Sequence, residues 1–275
     1  MRKSGLANLY PKRQPWSHKG EHGFVMIVGG SKKYSGSPAF NALAALRSGA
    51  DLVTVYGAER AMNIAATFAP DIITYPLDEL TPHYVPLILK ESKKFHSLVI
   101  GCGLDRNERT HEAIVDIIKK IDLPVVVDAE GVRAVAEHPA SIAGKKIVLT
   151  PHAEEFRILT GERVKPNVSD RKTRVKKWAK RLGTVILLKG HVDVVSDGSR
   201  VSVNKTGSPF MTKGGFGDTL SGICGTLLAR GSEPFQAAVF AAYINGRAGE
   251  LACKKYGEGV LASDLLEYIP QVIHS

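Results

Sequence analysis

The sequence contains few cysteines and no long apolar run. Its 275 residues include three cysteines, Cys102, Cys224 and Cys253, which are far apart and odd in number. This pattern excludes a disulfide framework and a cysteine-based metal site, and we expect reduced, buried thiols. No run of about 18 apolar residues is present, so no transmembrane helix is expected. The basic residues 1–16 lack the apolar core of a secretory signal, which favours a cytoplasmic protein.

Two common nucleotide-binding motifs are also absent. The phosphate-binding pattern GxxxxGK[ST] does not occur, and GGSKKYSG (29–36) lacks the glycine spacing of a dinucleotide fingerprint. We find no internal repeat, low-complexity tract or linker-like change in composition. The 44% hydrophobic content is enough for one sizeable core. We therefore expect a single domain over residues 1–275, with residues 1–15 as a candidate flexible extension.

Positive charge is in excess, with a formal net charge of +10. Such an excess suits an anionic partner, either a nucleotide or a nucleic acid. The densest basic stretch, RKTRVKKWAKR (171–181), has helical spacing and an apolar stripe formed by Val175, Trp178, Ala179 and Leu182. A solvated helix face explains this stretch better than a nucleic-acid patch does. We expect neither a nucleic-acid partner nor a membrane partner.

What the chain does contain is an alternation of short apolar runs and amphipathic segments. The runs predict strands at 23–30, 51–57, 96–103, 124–131, 147–151 and 184–190. The amphipathic segments predict helices at 36–49, 108–121, 153–160, 169–182, 219–230, 234–256 and 261–269. Two short alternating runs around Asp197-Gly198 predict a hairpin. This order predicts an α/β fold with a mainly parallel central sheet covered by helices on both faces.

Five of the predicted strands end in glycine or polar residues. These ends are Gly29-Gly30-Ser31, Gly101-Cys102-Gly103, Asp128-Ala129-Glu130, Thr150-Pro151-His152 and Lys189-Gly190. A single glycine after a strand is usually only a tight turn. Ligands of parallel sheets bind beyond the carboxyl ends of the strands, so five such ends together predict a ligand site at one edge of the sheet.

The segment KGGFGDTL (213–220) adds a second signal. Gly214, Gly215 and Gly217 allow the backbone to approach a ligand closely. A helix beginning near Asp218 or Thr219 would present unpaired N–H groups to a phosphate. Asp218 itself has two interpretations, an N-cap residue or a general base that accepts a hydroxyl proton. The sequence leaves both open, and one residue can serve in both ways.

Several motifs of the chain resemble those of a known family. GGFGDTLSG (214–222) resembles the GxGD signature of the ribokinase-like superfamily. Together with TPHAEEF (150–156), it resembles the ADP/ATP-dependent NAD(P)H-hydrate dehydratases, and the match runs from about residue 16 to 270. The resemblance implies a ribokinase-like three-layer sandwich. It also implies repair of hydrated NADH and NADPH (NADHX and NADPHX) by an ADP-dependent enzyme specific for the 6S epimer.

In this family the C6 hydroxyl is phosphorylated and phosphate is then eliminated, giving NAD(P)H, AMP and phosphate. The resemblance makes Asp218 the catalytic base, with the backbone at Gly215 and Gly217 stabilising the transferring phosphoryl group. It assigns nucleotide binding to Lys189, Gly190, His191, Val192, Asp193 and Gly217. It assigns binding of the hydrated dinucleotide to Ser37, Gly103, His152 and Asp218. It also implies Mg²⁺ across the phosphates, with Glu155 acting through water, and ADP or ATP as co-substrate.

Several of these residues also have simpler interpretations. His152 could be a turn histidine without a role, Glu155 a first-turn carboxylate favoured by the helix dipole, and Lys189 a strand-end cation. Ser37 and Cys102 depart from the family pattern without evident consequence. Lys213 and Phe216 also depart from it: Lys213 would add a cation beside the phosphate site, and Phe216 would narrow the acceptor pocket.

Two other functions fit the residues less well. One is a small-molecule kinase of the same fold, for example of the hydroxyethylthiazole type, and the other is a non-catalytic nucleotide-binding protein. A carboxylate next to a phosphate would not help a protein that only binds nucleotides, so Asp218 argues against the non-catalytic binding protein. The resemblance to the family and the apolar residues at both ends of the chain predict a homo-oligomer, for example a tetramer. Because the chain has no room for a fused epimerase, any NAD(P)H-hydrate epimerase would be a separate partner.

Overall fold

The computed structural model describes residues 3–274. One nine-stranded sheet runs through this part of the chain, in the order β3-β2-β1-β4-β5-β6-β7-β8-β9. Strands β1 to β7 are parallel, and β8 and β9 add an antiparallel hairpin at one edge. The strands are β1 (Phe24–Val28), β2 (Leu52–Ala58), β3 (Ile72–Leu77), β4 (Ser97–Ile100), β5 (Val125–Val127), β6 (Ile147–Leu149), β7 (Val185–Leu188), β8 (Asp193–Ser196) and β9 (Val201–Asn204).

Helices cover both faces of this sheet. They are α1 (Lys3–Leu9), α2 (Gly36–Arg47), α3 (Glu59–Ala66), α4 (Val85–Ser92), α5 (Glu108–Lys120), α6 (Glu130–Glu137), α7 (Ala153–Thr160), α8 (Val168–Leu182), α9 (Phe216–Ala229), α10 (Pro234–Tyr256), α11 (Ala262–Leu265) and α12 (Ile269–His274). Short 3₁₀ turns occur at Pro82–Tyr84, Pro139–Ile142, Pro209–Met211 and Gly257–Gly259. Among residues 3–274, no helix is both long and apolar enough to cross a membrane.

Alternate residues of each inner strand face different helix layers. In β1, Val25 and Ile27 pack into the core that contains α2, α9 and α10, whereas Met26 and Val28 pack into the core that contains α4 to α8. A strand buried on both faces must be apolar at almost every position, which is why the sequence shows continuous runs. The predicted three-layer architecture is confirmed. Because all nine strands share one sheet, we propose a single domain for the described chain.

Some predicted elements differ from the structure. The run 124–131 is a strand only to Val127, because Ala129 takes a positive φ of 49° and α6 begins at Glu130. The helix predicted at 261–269 is divided into α11 and α12. Strand β3 and helices α1, α3, α4 and α6 were not predicted. Strand β3 lies at the sheet edge, where several of its side chains are exposed, so its apolar signal is weak.

Other expectations are confirmed. The hairpin turn forms where Asp197 Oδ1 accepts from the backbone N–H groups of Ser199 and Arg200, at 2.9 and 2.7 Å. The apolar stripe of α8 is buried over most of its length, and all three cysteines are buried, free thiols. The stretch that we treated as a candidate flexible extension contains α1, whose Leu6 is buried in the α2/α9/α10 core.

Candidate active site

The carboxyl ends of β1, β4, β5, β6 and β7 lie side by side at one edge of the sheet, as predicted. Backbone hydrogen bonds join the loops that follow them. Gly30 N–H donates to Cys102 O at 2.9 Å, and Lys189 N–H donates to Pro151 O at 2.9 Å. The five glycine and polar strand ends therefore form one continuous surface, onto which the first turn of α9 is placed.

Helix α9 begins at Phe216, earlier than the sequence suggested. Its N-cap is Gly215, at φ +96°, and Thr219 N–H is bonded back to Gly215 O at 3.0 Å. The N–H groups of the three preceding residues have no carbonyl one turn back and remain available to an anion. Asp218 is the third residue of the helix, so the N-cap interpretation is wrong. A Cβ at Gly215 would lie 2.6 Å from Ala262 Cβ, so packing as well as backbone conformation requires glycine there.

Two asparagines that the sequence did not single out fix this first turn. Asn41 of α2 donates from Nδ2 to Asp218 O at 2.7 Å. Asn245 of α10 donates from Nδ2 to Phe216 O at 3.2 Å and accepts from Thr219 Oγ1 at 2.7 Å. The turn is thus held from both neighbouring helices, and both asparagines are buried.

The carboxyl group of Asp218 lies in an environment that disfavours its charge. Burial and the negative charge of Asp128 raise the pKa of Asp218 to about 6, against a hydrogen bond with Ser37 and the charge of Lys189, which lower it. The group is therefore mostly ionised at neutral pH, yet it binds a proton more readily than an ordinary aspartate. These are the properties of a general base that works near neutral pH.

A buried ion pair lies beneath the first turn of α9. Lys189 Nζ is 2.6 Å from Asp128 Oδ1, and Ser221 Oγ donates to Asp128 Oδ2 at 2.6 Å. Burial disfavours the charged form of both residues, but the attraction of the opposite charge is stronger. The pKa of Asp128 is therefore lowered and that of Lys189 is raised. A Cβ at Gly217 would lie 3.4 Å from Lys189 Nζ, so this ammonium is next to the first turn of α9.

Sequence reasoning missed the part that Asp128 and Ser221 play here. Asp128 is only 2% exposed and Ser221 is fully buried. Asp128 was recognised as a strand-end residue, but nothing in the sequence pairs it with Lys189, 61 residues away. Only the parallel order of β5, β6 and β7 brings the two together.

His152 and Glu155 form a reciprocal cap at the start of α7. His152 Nδ1 accepts from Glu154 N–H at 3.1 Å and from Glu155 N–H at 3.2 Å, while Glu155 Oε2 accepts from His152 N–H at 2.9 Å. Glu155 Oε2 is also 4.0 Å from Lys189 Nζ. Burial raises the pKa of Glu155, and Lys189 partly offsets this. His152 therefore has a structural role as a cap, in addition to any contact with substrate.

The loop of residues 189–193 is closed by its own last residue. Asp193 Oδ1 accepts from Gly190 N–H at 3.0 Å, and Asp193 Oδ2 accepts from Asn204 Nδ2 at 3.0 Å. Arg171 of α8 supports the loop from behind, donating from Nη2 to Leu188 O at 3.1 Å and to Lys189 O at 2.9 Å. The imidazole of His191 is exposed at the loop tip.

A cavity of about 720 Å³ opens between this loop and α9. Six of the predicted site residues line it: His152, Lys189, Gly190, His191, Asp193 and Gly217. The opposite wall comes from segments 206–209 and 211–214 and from α10. Cavities of this size hold nucleotide-sized ligands. The other predicted residues, Ser37, Gly103, Glu155, Val192, Gly215 and Asp218, are outside its lining.

Ser37 and Gly103 lie together on the other side of Asp218. Gly103 has φ +68°, and a Cβ there would be 3.0 Å from Ser37 Cβ. Ser37 in turn hydrogen-bonds the Asp218 side chain. Cys102 Sγ is buried between them and Asp128, 3.7 Å from Asp128 Oδ2. Asp218 thus separates a side with small residues from the side with the large cavity.

The two unusual residues of the glycine segment, Lys213 and Phe216, both line the large cavity. Lys213 Nζ donates to Val260 O at 3.0 Å and to Glu258 O, so it also binds the backbone after α10. Phe216 is 5% exposed and packs in the α2/α9/α10 core. The expected effects of Lys213 on the phosphate site and of Phe216 on the acceptor pocket stay predictions.

The described residues contain no group of three histidine, cysteine, aspartate or glutamate side chains that could hold a metal ion. Within the site, Glu155 offers a carboxylate close to Lys189. This fits an ion that is held mainly by ligand phosphates and reaches the protein through one carboxylate, as Mg²⁺ commonly is.

The sheet order and the glycine-capped helix with its first-turn aspartate define a ribokinase-like α/β protein. The sequence profile of the NAD(P)H-hydrate dehydratase family matches residues 25–271. The chain belongs to the NAD(P)H-hydrate dehydratase family.

Three similar proteins illustrate this membership. A bifunctional NAD(P)H-hydrate repair enzyme of Pyrobaculum aerophilum is 43% identical over 272 residues, covering 98% of this chain and 54% of that protein. An ADP-dependent (S)-NAD(P)H-hydrate dehydratase of Cenarchaeum symbiosum is 41% identical, covering 98% of this chain and 94% of that protein. The crystal structure of an ADP/ATP-dependent NAD(P)H-hydrate dehydratase from Bacillus subtilis, co-crystallised with ATP and Mg²⁺, has a TM-score of 0.86 and 30% identity, with 98% and 96% coverage. The chain spans about half the length of its bifunctional relatives: 54% of the Pyrobaculum enzyme and 50% of a similar enzyme of Hyperthermus butylicus.

Proposed function

We propose that this chain is an ADP-dependent (6S)-NAD(P)H-hydrate dehydratase that restores NADH and NADPH from their hydrates. The observation that carries the proposal is the position of Asp218, whose carboxyl group has a pKa of about 6 in the same helical turn as the free N–H groups of α9. The names of the archaeal relatives support ADP as the nucleotide and the S epimer as the substrate.

The proposed reaction begins with proton transfer to Asp218. The carboxylate accepts the proton of the C6 hydroxyl while the oxygen attacks the β-phosphorus of ADP, and the bond to the AMP oxygen breaks. The product is a phosphate ester at C6 and AMP. The lone pair of the ring nitrogen then expels the phosphate from C6, and loss of a proton from C5 forms the C5–C6 double bond of the reduced nicotinamide. A poor leaving group is thereby converted into a good one.

The backbone of α9 would stabilise the phosphoryl group during transfer. The N–H groups at Gly215 and Gly217 point out of an uncompleted helical turn, and the positive end of the helix dipole lies there. Lys189 Nζ lies close to the same region, 3.4 Å from where a Cβ at Gly217 would be. Lys189 remains charged because Asp128 and Glu155 face it, which suits contact with phosphate.

The two sides of Asp218 would then hold the two substrates. We assign the nucleotide to the cavity lined by Lys189, Gly190, His191, Asp193 and Gly217, with Val192 in the same loop. We assign the hydrated dinucleotide to Ser37, Gly103 and Asp218, together with His152, which also borders the cavity. Mg²⁺ would neutralise charge on the nucleotide phosphates. Glu155 would contact it through water. The cytoplasmic location, the homo-oligomeric state and the epimerase partner stay predictions.

The test is a direct assay with NADHX, Mg²⁺ and either ADP or ATP, read by the near-ultraviolet absorbance of reduced nicotinamide. Asp218→Asn should lower the rate by about 10²-fold or more, because the base is lost while the shape is kept. Asp116→Asn is the matched control, since Asp116 is paired with Lys120 on the distant helix α5. A stable phosphorylated product without absorbance change would indicate a small-molecule kinase, and ADP binding without turnover would indicate a non-catalytic binder.

A further inference from the structure

A second cavity lies at the far ends of α2 and α9, away from Asp218. Helix α2 ends at Arg47, and α9 ends at Ala229 with Arg230 as its C-cap. The cavity between these ends and the segment after α1 has a volume of about 590 Å³. This is within the range of small-molecule sites. It shares no lining residue with the nucleotide cavity.

The wall of this cavity carries positive charge and no carboxylate. Lys12, Arg13, Arg47 and Arg230 line it together with His274, and none of its lining residues is an aspartate or glutamate. Asp51, which pairs with Arg13 at 2.9 Å, also accepts from two backbone N–H groups. So many cations around one cavity repel each other unless an anion joins them.

Two of the cations are part of the framework. Arg230 donates to Leu9 O at 3.3 Å, and its guanidinium lies over the Tyr10 ring at 4.7 Å. Arg13 donates to Gly49 O at 3.1 Å. These contacts attach the segment after α1 to the loop between α2 and β2, and so give the cavity a fixed wall.

Two cations at the cavity have side chains without a protein partner in the described part of the chain. The side chains of Lys12 and Arg47 form no ion pair or hydrogen bond with residues 3–274. The hydroxyl of Tyr10 is buried from solvent and has no hydrogen-bond partner among these residues. Burial raises the pKa of Tyr10, so the hydroxyl keeps its proton and stays a donor.

We propose that this cavity binds a small phosphorylated molecule with at least two negative charges. Arg47 and Lys12 supply charged donors, and guanidinium pairs well with phosphate oxygens. Cations at helix C-termini also stabilise the helix dipole, which accounts for the positions of Arg47 and Arg230. It does not account for Lys12, or for four cations around one cavity without a carboxylate. The proposal is independent of the function assigned to Asp218.

Calorimetric titration of the full chain with inorganic pyrophosphate tests this site. The wild type should show two classes of binding, one in each cavity. Lys12→Gln combined with Arg47→Gln should weaken one class by about tenfold or more and leave the other unchanged. Lys172→Gln combined with Lys176→Gln removes the same charge from exposed positions of α8 and should bind like the wild type. Equal binding by both double variants would overturn the proposal.

Tyr10→Phe provides a second, structurally mild variant. It removes a hydroxyl that bonds to nothing in the described chain and keeps the ring beneath Arg230. Because this hydroxyl is closed to solvent, pyrophosphate affinity should stay unchanged, whereas the Lys12 and Arg47 variant loses it. A loss with Tyr10→Phe as large as that of the Lys12 and Arg47 variant would mean that the two cations do not carry the binding, and would contradict the proposed site. Tighter binding of a short RNA than of pyrophosphate, lost in the Lys12 and Arg47 variant, would replace the small molecule with a nucleic acid.

Discussion

The two sides of Asp218 are built by different means. On the side that we propose for the nucleotide, long polar side chains hold the backbone in place: Arg171 binds two carbonyls, Asp193 closes its loop and Lys189 pairs with Asp128. On the side that we propose for the acceptor, the shape comes from missing side chains. A Cβ at Gly101 would be 2.0 Å from Asp128 O, and one at Gly103 would be 3.0 Å from Ser37 Cβ.

This difference predicts opposite sensitivities. The nucleotide side should fail when a side chain is shortened, because buried carbonyls and carboxylates then lose their partners. The acceptor side should fail when a side chain is added, because there is no space and the backbone lies at positive φ. Variants that affect binding of one substrate and spare the other would establish that the two sides are separate.

The largest effect is expected from Lys189→Met. The change removes the cation next to the phosphates and leaves Asp128 buried without its partner, which costs about 3–5 kcal/mol in stability. ADP affinity, measured by calorimetry, should fall by about 10²-fold. Urea unfolding measures the loss of stability. Lys213→Met is the matched control, since Lys213 lines the same cavity but binds the carbonyl of Val260. Equal losses in both variants would contradict the role of the Lys189–Asp128 pair.

Gly103→Ala should affect only the acceptor side. The new methyl group would meet Ser37 at 3.0 Å, on a backbone with φ +68°. We expect KM for the hydrated dinucleotide to rise by about tenfold while the Kd of ADP stays unchanged. Gly214→Ala is the control, because a Cβ at Gly214 meets open space. A rise in the ADP Kd with Gly103→Ala would mean that the two sides are one site.

The pH profile should follow Asp218, which lies between the two sides. With a carboxyl pKa of about 6, kcat/KM should increase with pH up to that value and then level off, because only the ionised base accepts a proton. One pH unit below the pKa, the rate should be about tenfold lower. An acid limb near the usual aspartate value of about 3.9 would contradict the assignment.

Stability should change with pH in the opposite direction. Because the pKa of Asp218 is raised in the folded state, its contribution to stability is fully present below the unfolded pKa of about 3.9 and is lost as pH rises through the folded pKa of about 6. Asp218→Asn should therefore unfold at a higher temperature than the wild type above that pH and lose this advantage in acid. A scan of melting temperature against pH measures it.

The smallest effect is expected from Arg171→Met. The carbonyls of Leu188 and Lys189 would lose their donor, which should lower the stability of the fold by about 1–3 kcal/mol. Asp193 still closes the loop, so the ADP Kd should rise only about threefold. Lys172→Met, on an exposed neighbouring position, should change neither quantity. A large loss of ADP affinity would mean that Arg171 itself contacts the nucleotide.

The sequence was informative wherever local chemistry sets the structure. Glycine directly after an apolar run marked the strand ends, and the parallel order of strands then placed them at one edge. The start of α9 was misplaced because no side chain marks it: Gly215 is the N-cap, and its conformation depends on contacts with Ala262 and Phe40. No local pattern announces such a cap.

Partners that are distant along the chain could not be predicted. Asn41 bonds to Asp218 across 177 residues, and Ser221 bonds to Asp128 across 93. Each is a single polar residue in an apolar helix, and its role is defined only by the helix that packs against it. The basic cavity is a similar case, since its four cations come from three separate parts of the chain.

The first turn of α9 carries both the N–H groups that we propose bind phosphate and the carboxylate of Asp218. Each residue rotates a helix by about 100°, so one residue inserted between Gly215 and Asp218 would turn the carboxylate away from the proposed acceptor side. The segment therefore tolerates no change of length. Among related chains, insertions and deletions should be frequent in the loops around the cavity and absent from residues 215 to 218.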